Sequence, residues 1–331
     1  MGTTRIPSRT DAMTDDRPVL VATEVDDPTA DLVITELNRR KVPVVRFNPA
    51  DIGDGLTVST EFGTSSDGVA GLLRTSSRTA HLARVRAVYW RRPTWPTFPH
   101  LGPDDARFAA AQVRHGLAGS LFSLSGPLWV NHPLRIAAAD YKPAQLALAQ
   151  RLGFIVPPTV VTNDPAEACS FVKAHGKVIY KPLRWTPYTR NGVPLTGWAD
   201  LVTVNEIDDG VRVTPHMFQR RVDKVADLRV LVVGGQTFGV RIDSGLLDWR
   251  RDYDALTYTV EQLSPGTNRA LQSYLEHLGL VSGSFDLAVD RAGDLWWLEL
   301  NPNGQWGWLE TETGLPMSAA FSDLLTRGNT S

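Results

Sequence analysis

The sequence predicts a mixed α/β chain built from several subdomains, and three observations carry that prediction. A strand–helix–strand unit opens the patterned region, a strand-heavy region closes it, and 331 residues exceed what one hydrophobic core usually serves. Pro18-Val-Leu-Val-Ala22 is a short apolar strand, and Asp26-Asp27-Pro28 starts a helix. Residues 29–41 then place Leu32, Val33 and Leu37 at helical spacing. Val42 to Phe47 is the next strand, ended by Asn48-Pro49, and this order implies a parallel pair. Leu56–Phe62, Gly71–Arg74 and Val85–Trp90 read as further strands, Asp104–Leu124 as an Ala/Leu-rich helix, and Leu128–Asn131 as a short strand.

Beyond that strand the pattern changes. Pro143 suits the first turn of a helix that runs to Gly153. Val156–Val161 reads as a strand, Asp164-Pro165 starts a helix up to His175-Gly176, and Val178–Lys181 is a strand ending on a lysine. Residues 184–215 are turn-rich with little periodicity, the mark of a functional loop or hairpin. From 216 onward strands dominate: Leu228–Val233 and Thr237–Ile242 form a hairpin, an acidic hairpin follows, and a helix spans Met317–Arg327.

Composition narrows the partners. A formal charge of −2 and a pI near 6.4 give no electrostatic argument for nucleic acid or a membrane surface. No apolar run approaches the roughly 20 residues of a membrane span. Residues 1–17 lack an apolar signal core and read as a tail, so a cytoplasmic protein is the default expectation. The single cysteine, Cys169, excludes an internal disulfide and reads as a small buried residue.

The acidic hairpin is the most informative segment. Alternation puts Ser284, Asp286, Ala288 and Asp290 on one strand face, with Phe285, Leu287 and Val289 on the other. In the next strand Glu299 and Asn301 share a face, while Trp296, Leu298 and Leu300 turn away. A tight two-residue turn at Ala292-Gly293 would set Asp286 opposite Glu299, whereas a three-residue loop would slip the pairing by one. Two carboxylates and an amide oxygen on one face suit a hard cation such as magnesium. A half-buried hairpin with acids toward water is the plain alternative.

Four elements then follow in order: Lys142 before a helix, Lys181 ending a strand, Gln219-Arg220-Arg221-Val222 leading to Asp227 and Arg229, and Asp286 with Glu299 and Asn301. Each alone is ordinary; their joint order resembles the ATP-grasp ligases. The finer resemblance is to the graspetide synthetases, the microviridin-type peptide maturases. It rests on Val88-Tyr-Trp-Arg-Arg-Pro93, Asn131 through Lys142-Pro-Ala-Gln-Leu146, Val178-Ile-Tyr-Lys-Pro-Leu183, Gln219 to Lys224 with Asp227-Leu-Arg229, Trp249-Arg250, and Asn301-Pro-Asn-Gly-Gln-Trp306. Where that family often has Gln-Glu at the hinge, this chain has Gln219-Arg220.

The resemblance implies an ATP-grasp fold with an N-terminal α/β pre-ATP-grasp domain. The expected divisions are a tail at 1–17, that domain at 18–130, a central subdomain at 131–217 and a C-terminal subdomain at 218–331. It implies ATP and two magnesium ions as cofactors. Lys142, Lys181, Gln219, Arg221 and Val222 would hold the nucleotide, and Asp286, Glu299 and Asn301 the metal. Arg229, Arg241 and Arg250 are the catalytic candidates; Arg241 has Asp243 as a simpler partner and shares a face with Arg229 only if the Gly234-Gly235-Gln236 connection has three residues. The implied partner is a ribosomal precursor peptide with a leader, the implied assembly a homodimer. Asp or Glu side chains of that peptide would be activated as acyl phosphates and joined to Ser/Thr or Lys side chains. Two other readings stand beside it: a ligase adding a free amino acid to a carboxylate, and a nucleotide-binding regulator without catalysis. Arg91-Arg92, Trp306 and Trp308 are open between substrate contact and structural packing.

Overall fold

The computed structural model describes residues 15–63, 69–184, 186, 188–190, 193–195 and 197–329. β1 (Val19–Ala22), α1 (Pro28–Arg39) and β2 (Val44–Phe47) form the opening unit. Asp27 caps α1 by accepting the Ala30 amide, and Pro28 fills its first turn. An antiparallel side sheet follows, from β3 (Leu56–Glu61), β4 (Ala70–Thr75) and β5 (Thr79–His81). β6 (Ala87–Trp90), α2 (Pro103–Phe122) and β7 (Leu128–Val130) complete a four-stranded parallel sheet in the order β2-β1-β6-β7.

α3 (Pro133–Ala139) and α4 (Lys142–Arg151) lead to β8 (Thr159–Thr162), which starts only after Pro157-Pro158. α5 (Pro165–His175), β9 (Val178–Lys181), the small hairpin of β10 (Tyr188–Arg190) and β11 (Val193–Leu195), and β12 (Asp200–Val202) come next. With β13 (His216–Arg220) they give an antiparallel sheet ordered β12-β9-β13-β8. Cys169 is only partly buried; its neighbour Ala168 takes the core position on α5.

The third sheet is antiparallel and ordered β16-β15-β14-β17-β18. Its strands are β14 (Lys224–Val233), β15 (Gln236–Asp243), β16 (Thr257–Glu261), β17 (Ser282–Asp290) and β18 (Leu295–Asn301). α6 (Pro265–Leu278) covers one face with Leu271, Tyr274 and Leu275, a helix within the region where strands alone are expected. Its signals are nevertheless plain: Ser264 accepts the Thr267 amide as N-cap, and Gly279 ends it in the left-handed conformation. α7 (Gly307–Thr313) and α8 (Met317–Arg327) cover the other face and also pack on α1. Val19, Val21 and Tyr89 therefore share one core with Leu231, Val240, Phe321 and Leu324.

Residues 15–17, assigned above to the tail, are tied down. Buried Arg86 donates to the Arg17 carbonyl (2.7 Å), the Asp15 carbonyl (2.5 Å) and the Thr326 carbonyl (2.9 Å). Among the described residues no helix is long and apolar enough to cross a membrane.

Candidate active site

The facing surfaces of the central sheet and the third sheet enclose a cleft. One half is lined by Ile179, Lys181, Gln219, Val222, Asp227, Arg250, Leu298 and Glu299. The adjoining half adds Lys142, Arg184 and Asn301 and shares Lys181, Arg250 and Glu299.

The acidic hairpin reaches its register by a different route from the one expected. Asp290 pairs with Asp294 across a three-residue loop, Arg291-Ala292-Gly293, with Gly293 at φ +87°. Asp290 fastens it by accepting the Ala292 and Asp294 amides (2.9 and 3.0 Å) and the Trp296 indole N–H (2.8 Å). The strands then pair Val289 with Leu295, Ala288 with Trp296 and Leu287 with Trp297. Leu298 is left over as a β-bulge, after which Asp286 faces Glu299 and Ser284 faces Asn301. The bulge absorbs the slip that the three-residue loop introduces. It also corrects the faces: Trp297 is fully buried in the core, whereas Leu298 lines the cleft and Trp296 lies beneath the Arg220 guanidinium, 5.1 Å away.

Each carboxylate of the cleft has a cation. Glu299 is bonded to Lys142, the first residue of α4, and its other oxygen lies 3.9 Å from Arg250. Burial alone would raise the Glu299 pKa, but Lys142, Arg250 and Lys181 together hold it well below the usual carboxylate range. Arg229 stands directly across from Asp286 in the β14–β17 ladder and grips both its oxygens (2.6 and 2.7 Å). Arg250 makes a fork on Asp248 (both contacts 2.8 Å), which raises its pKa and aims it into the cleft. Lys224 bonds Asp227 at 2.5 Å; burial still pushes that carboxyl up to about 6.

Lys181 donates to the Gln219 amide oxygen (3.2 Å), and Gln219 in turn donates to Thr159 (2.9 Å). Gln219 is thus a buried orienter of Lys181. Desolvation pulls the Lys181 pKa down to about 8. The segment after β13 leaves backbone groups open. Even-numbered residues of β13 point their backbone at β8, and the Arg220 amide donates to the Pro158 carbonyl (2.8 Å). Pro158 has no N–H to return, so the Arg220 carbonyl lacks a strand partner. Among the described residues the Val222 amide makes no hydrogen bond either, while the Arg221 amide is spent on the Lys177 carbonyl. The Arg221 side chain lies 3.6 Å from Asp223.

Asp286, Glu299 and Asn301 converge: the Asn301 amide nitrogen is 3.0 Å from Asp286 and 3.4 Å from Glu299. Among the described residues no three His, Cys, Asp or Glu side chains cluster as a metal nest. A cation here would draw on two carboxylates and, after an amide flip, the Asn301 oxygen. That all-oxygen, protein-poor set fits magnesium, which keeps waters and substrate phosphate in its remaining positions.

Arg241 is not brought to the cleft. The β14–β15 connection is Gly234-Gly235 alone, so Arg229 pairs with Val240 and Arg241 with Leu228. Side chains one residue apart point to opposite faces, and Arg241 is spent on Asp243 (2.8 Å). Trp306 belongs to the core, stacked on Phe321 at 5.0 Å. Trp308 stacks on Trp249 (5.8 Å) with the Arg229 guanidinium 5.9 Å from its ring, at the edge of the cleft.

In sequence, neither a protein-family model nor a curated protein matches the chain. Solved structures do match in shape. A Chryseobacterium gregarium RiPP-associated ATP-grasp ligase, solved in complex with ADP and a leader and core peptide, aligns at a TM-score of 0.86 and 24% identity, over 94% of this chain and 97% of that one. The chain has the ATP-grasp ligase fold. Two macrocyclases of Microcystis aeruginosa MRC share it. MdnC, bound with its precursor peptide MdnA, aligns at 0.84 and 23% identity, over 94% of this chain and 99% of that one. MdnB aligns at 0.77 and 26% identity, over 93% of this chain and 99% of that one.

Proposed function

We propose that the chain is an ATP-dependent peptide macrocyclase that joins Asp or Glu side chains of a ribosomal precursor to Ser/Thr or Lys side chains. The observation that carries this reading is the order of groups along the cleft. At one end, the open Arg220 carbonyl and Val222 amide offer an acceptor and a donor two residues apart, the pair an adenine edge requires, with Ile179 and Leu298 on either side for the ring. At the other end Lys142 and Lys181 supply point charges for phosphate. The likeness to ligases solved with precursor, leader or core peptides supports a peptide as the acceptor.

Asp286, Glu299 and Asn301 would hold magnesium, two ions in this proposal, which neutralises charge on the transferring phosphoryl group. Arg229 and Arg250 stand beside those ligands. Their guanidinium forks suit a peptide carboxylate and the acyl phosphate it becomes. A carboxylate oxygen attacks the γ-phosphorus and ADP leaves; a hydroxyl or amine then attacks the acyl carbon and phosphate leaves. Each crosslink costs the peptide one water.

Mass spectrometry with precursor peptide, ATP and magnesium tests this. The expected result is loss of one water mass per crosslink, with ADP and phosphate as co-products. Gain of an amino-acid mass would favour a ligase of free amino acids, and AMP with pyrophosphate would contradict the acyl-phosphate route. Sedimentation would show whether the proposed homodimer forms. In the same proposal the divisions at 131 and 218 separate the parts that close on the nucleotide.

A further inference from the structure

A buried polar seam between the N-terminal sheet and the turn after Asn301 lies outside the nucleotide cleft. Arg91, 1% exposed, follows β6 and sends its side chain into that turn. It donates to the Asn303 carbonyl (2.7 Å) and side-chain oxygen (2.9 Å), and to the Gln305 side chain; Asn303 returns a bond to the Arg91 carbonyl. Gln305 is also held by the Thr29 hydroxyl at 2.6 Å. The backbone carbonyl of the same Gln305 accepts Arg229 at 3.1 Å. At Gly304 a Cβ would stand 2.8 Å from the Arg229 guanidinium and 3.0 Å from Asn301 Cβ, so the turn lies hard against both groups.

We propose that Arg91 is a positioning residue for Arg229, acting through the Asn303–Gln305 turn. The guanidinium of one domain fixes a turn whose far side fixes a second guanidinium at the reaction centre. Three further observations support a preorganised device rather than ordinary packing. Arg91 has 3.6 Å to buried Asp27, whose carboxylate is anchored by Thr23 and the α1 amide of Ala30, so its own base is fixed. Asn131 staples the start of β17 to Pro302, accepting the Val281 amide (2.8 Å) and donating to the Pro302 carbonyl (3.0 Å). Around the small space among Tyr89, Arg91, Ser284 and Gly304, two buried polar atoms, Tyr89 Oη and Ser284 Oγ, have no hydrogen-bond partner.

The inference rests on the proposed function for what Arg229 does, but not for where Arg229 sits. The test uses Arg91→Met, Arg91→Lys and Gly304→Ala in the full chain. The Nε–H resonance of Arg229 is followed in ¹⁵N-arginine-labelled protein, assigned by its loss in Arg229→Lys. Calorimetry gives ADP affinity, and peptide crosslinking gives turnover. Arg91→Met and Gly304→Ala should both displace the Arg229 resonance, leave ADP affinity within about twofold, and lower turnover roughly 10- to 100-fold. Arg91→Lys should recover part of the rate. An Arg229 resonance unmoved in Arg91→Met and Gly304→Ala would overturn the proposal. So would a parallel fall of melting temperature, ADP affinity and turnover, which marks a merely structural role. Should Arg91→Met not fold, Arg91→Lys carries the test, because Gly304→Ala puts a methyl group directly against Arg229. Failure of the wild-type protein to bind ADP would remove the functional reading and leave the resonance to decide the coupling.

Discussion

Replacing Glu299 by Gln separates two properties that the cleft combines. The substitution keeps the volume and removes one negative charge that faces Lys142, Arg250 and Lys181. At an effective dielectric constant of 20, a unit charge about 6 Å from a phosphate is worth about 3 kcal/mol. Glu299 is 16% exposed, so solvent screening brings the expected effect to between about 1 and 3 kcal/mol. Without divalent metal, ADP should therefore bind roughly 5- to 150-fold more tightly to Glu299→Gln than to wild type. With magnesium the order should reverse in function: turnover should fall by more than roughly 100-fold, because a metal ligand is gone. The fold should persist, since the core behind this strand is Trp297 and Leu300 rather than Glu299. Calorimetry of ADP in EDTA and in magnesium, with a crosslinking assay, reads both arms. Near-wild-type turnover would sink the metal assignment. Weaker ADP binding in EDTA would refute the electrostatic argument even if turnover vanished.

Lys181 carries a pH signature. Its folded pKa of about 8 lies below the ordinary 10.5 because burial disfavours the charged ammonium. Between pH 8 and 10.5 the unfolded chain holds a proton that the folded one has released, and the nucleotide-free protein should gain stability as pH rises through that window. ADP affinity should move oppositely and fall above about pH 8; Lys181→Arg, which stays charged, should abolish that fall, and an unchanged profile would reject Lys181 as a phosphate ligand. Lys142→Ala and Lys181→Ala should each weaken nucleotide binding in calorimetry. Removing residues 1–12, which lie outside the described residues, should leave the melting temperature almost unchanged. Removing residues 1–17 should cost about 1–3 kcal/mol, because buried Arg86 loses the carbonyls of Asp15 and Arg17; equal melting temperatures for the two truncations would refute this.

Local chemistry was legible in the sequence wherever it determined the structure. Pro and Gly punctuation placed α4 and α5, and residue type with order placed Lys142, Lys181, Asp286, Glu299 and Asn301 on one cleft. Parity questions were not legible. Gly234-Gly235-Gln236 reads equally well as two or three connecting residues, and only the observed pairing sends Arg241 to the far face. Trp296, Trp297 and Leu298 are all apolar, so no polarity pattern tells which of them occupies a bulge. Gln219 was legible as part of the hinge but not as the orienter of Lys181, since Thr159 and Lys181 lie far from it in sequence. The contact between Arg91 and the Asn303 turn spans 212 residues, and alternation says nothing about which buried arginine meets which turn.

The surplus residue in β18 has a consequence for how the protein can change. Without Leu298 the strand would still alternate correctly: Trp297 inward opposite Leu287, Glu299 outward opposite Asp286. The extra residue therefore leaves the carboxylate pair intact and adds a second, adjacent side chain on the same surface, so in the proposed function one short stretch would serve both an oily ring and a charged ion. These two duties are carried by neighbouring letters yet can be edited apart. Deletion of Leu298 should weaken ADP binding while sparing the magnesium dependence of whatever binding remains, a phenotype that no side-chain substitution at Glu299 can reproduce.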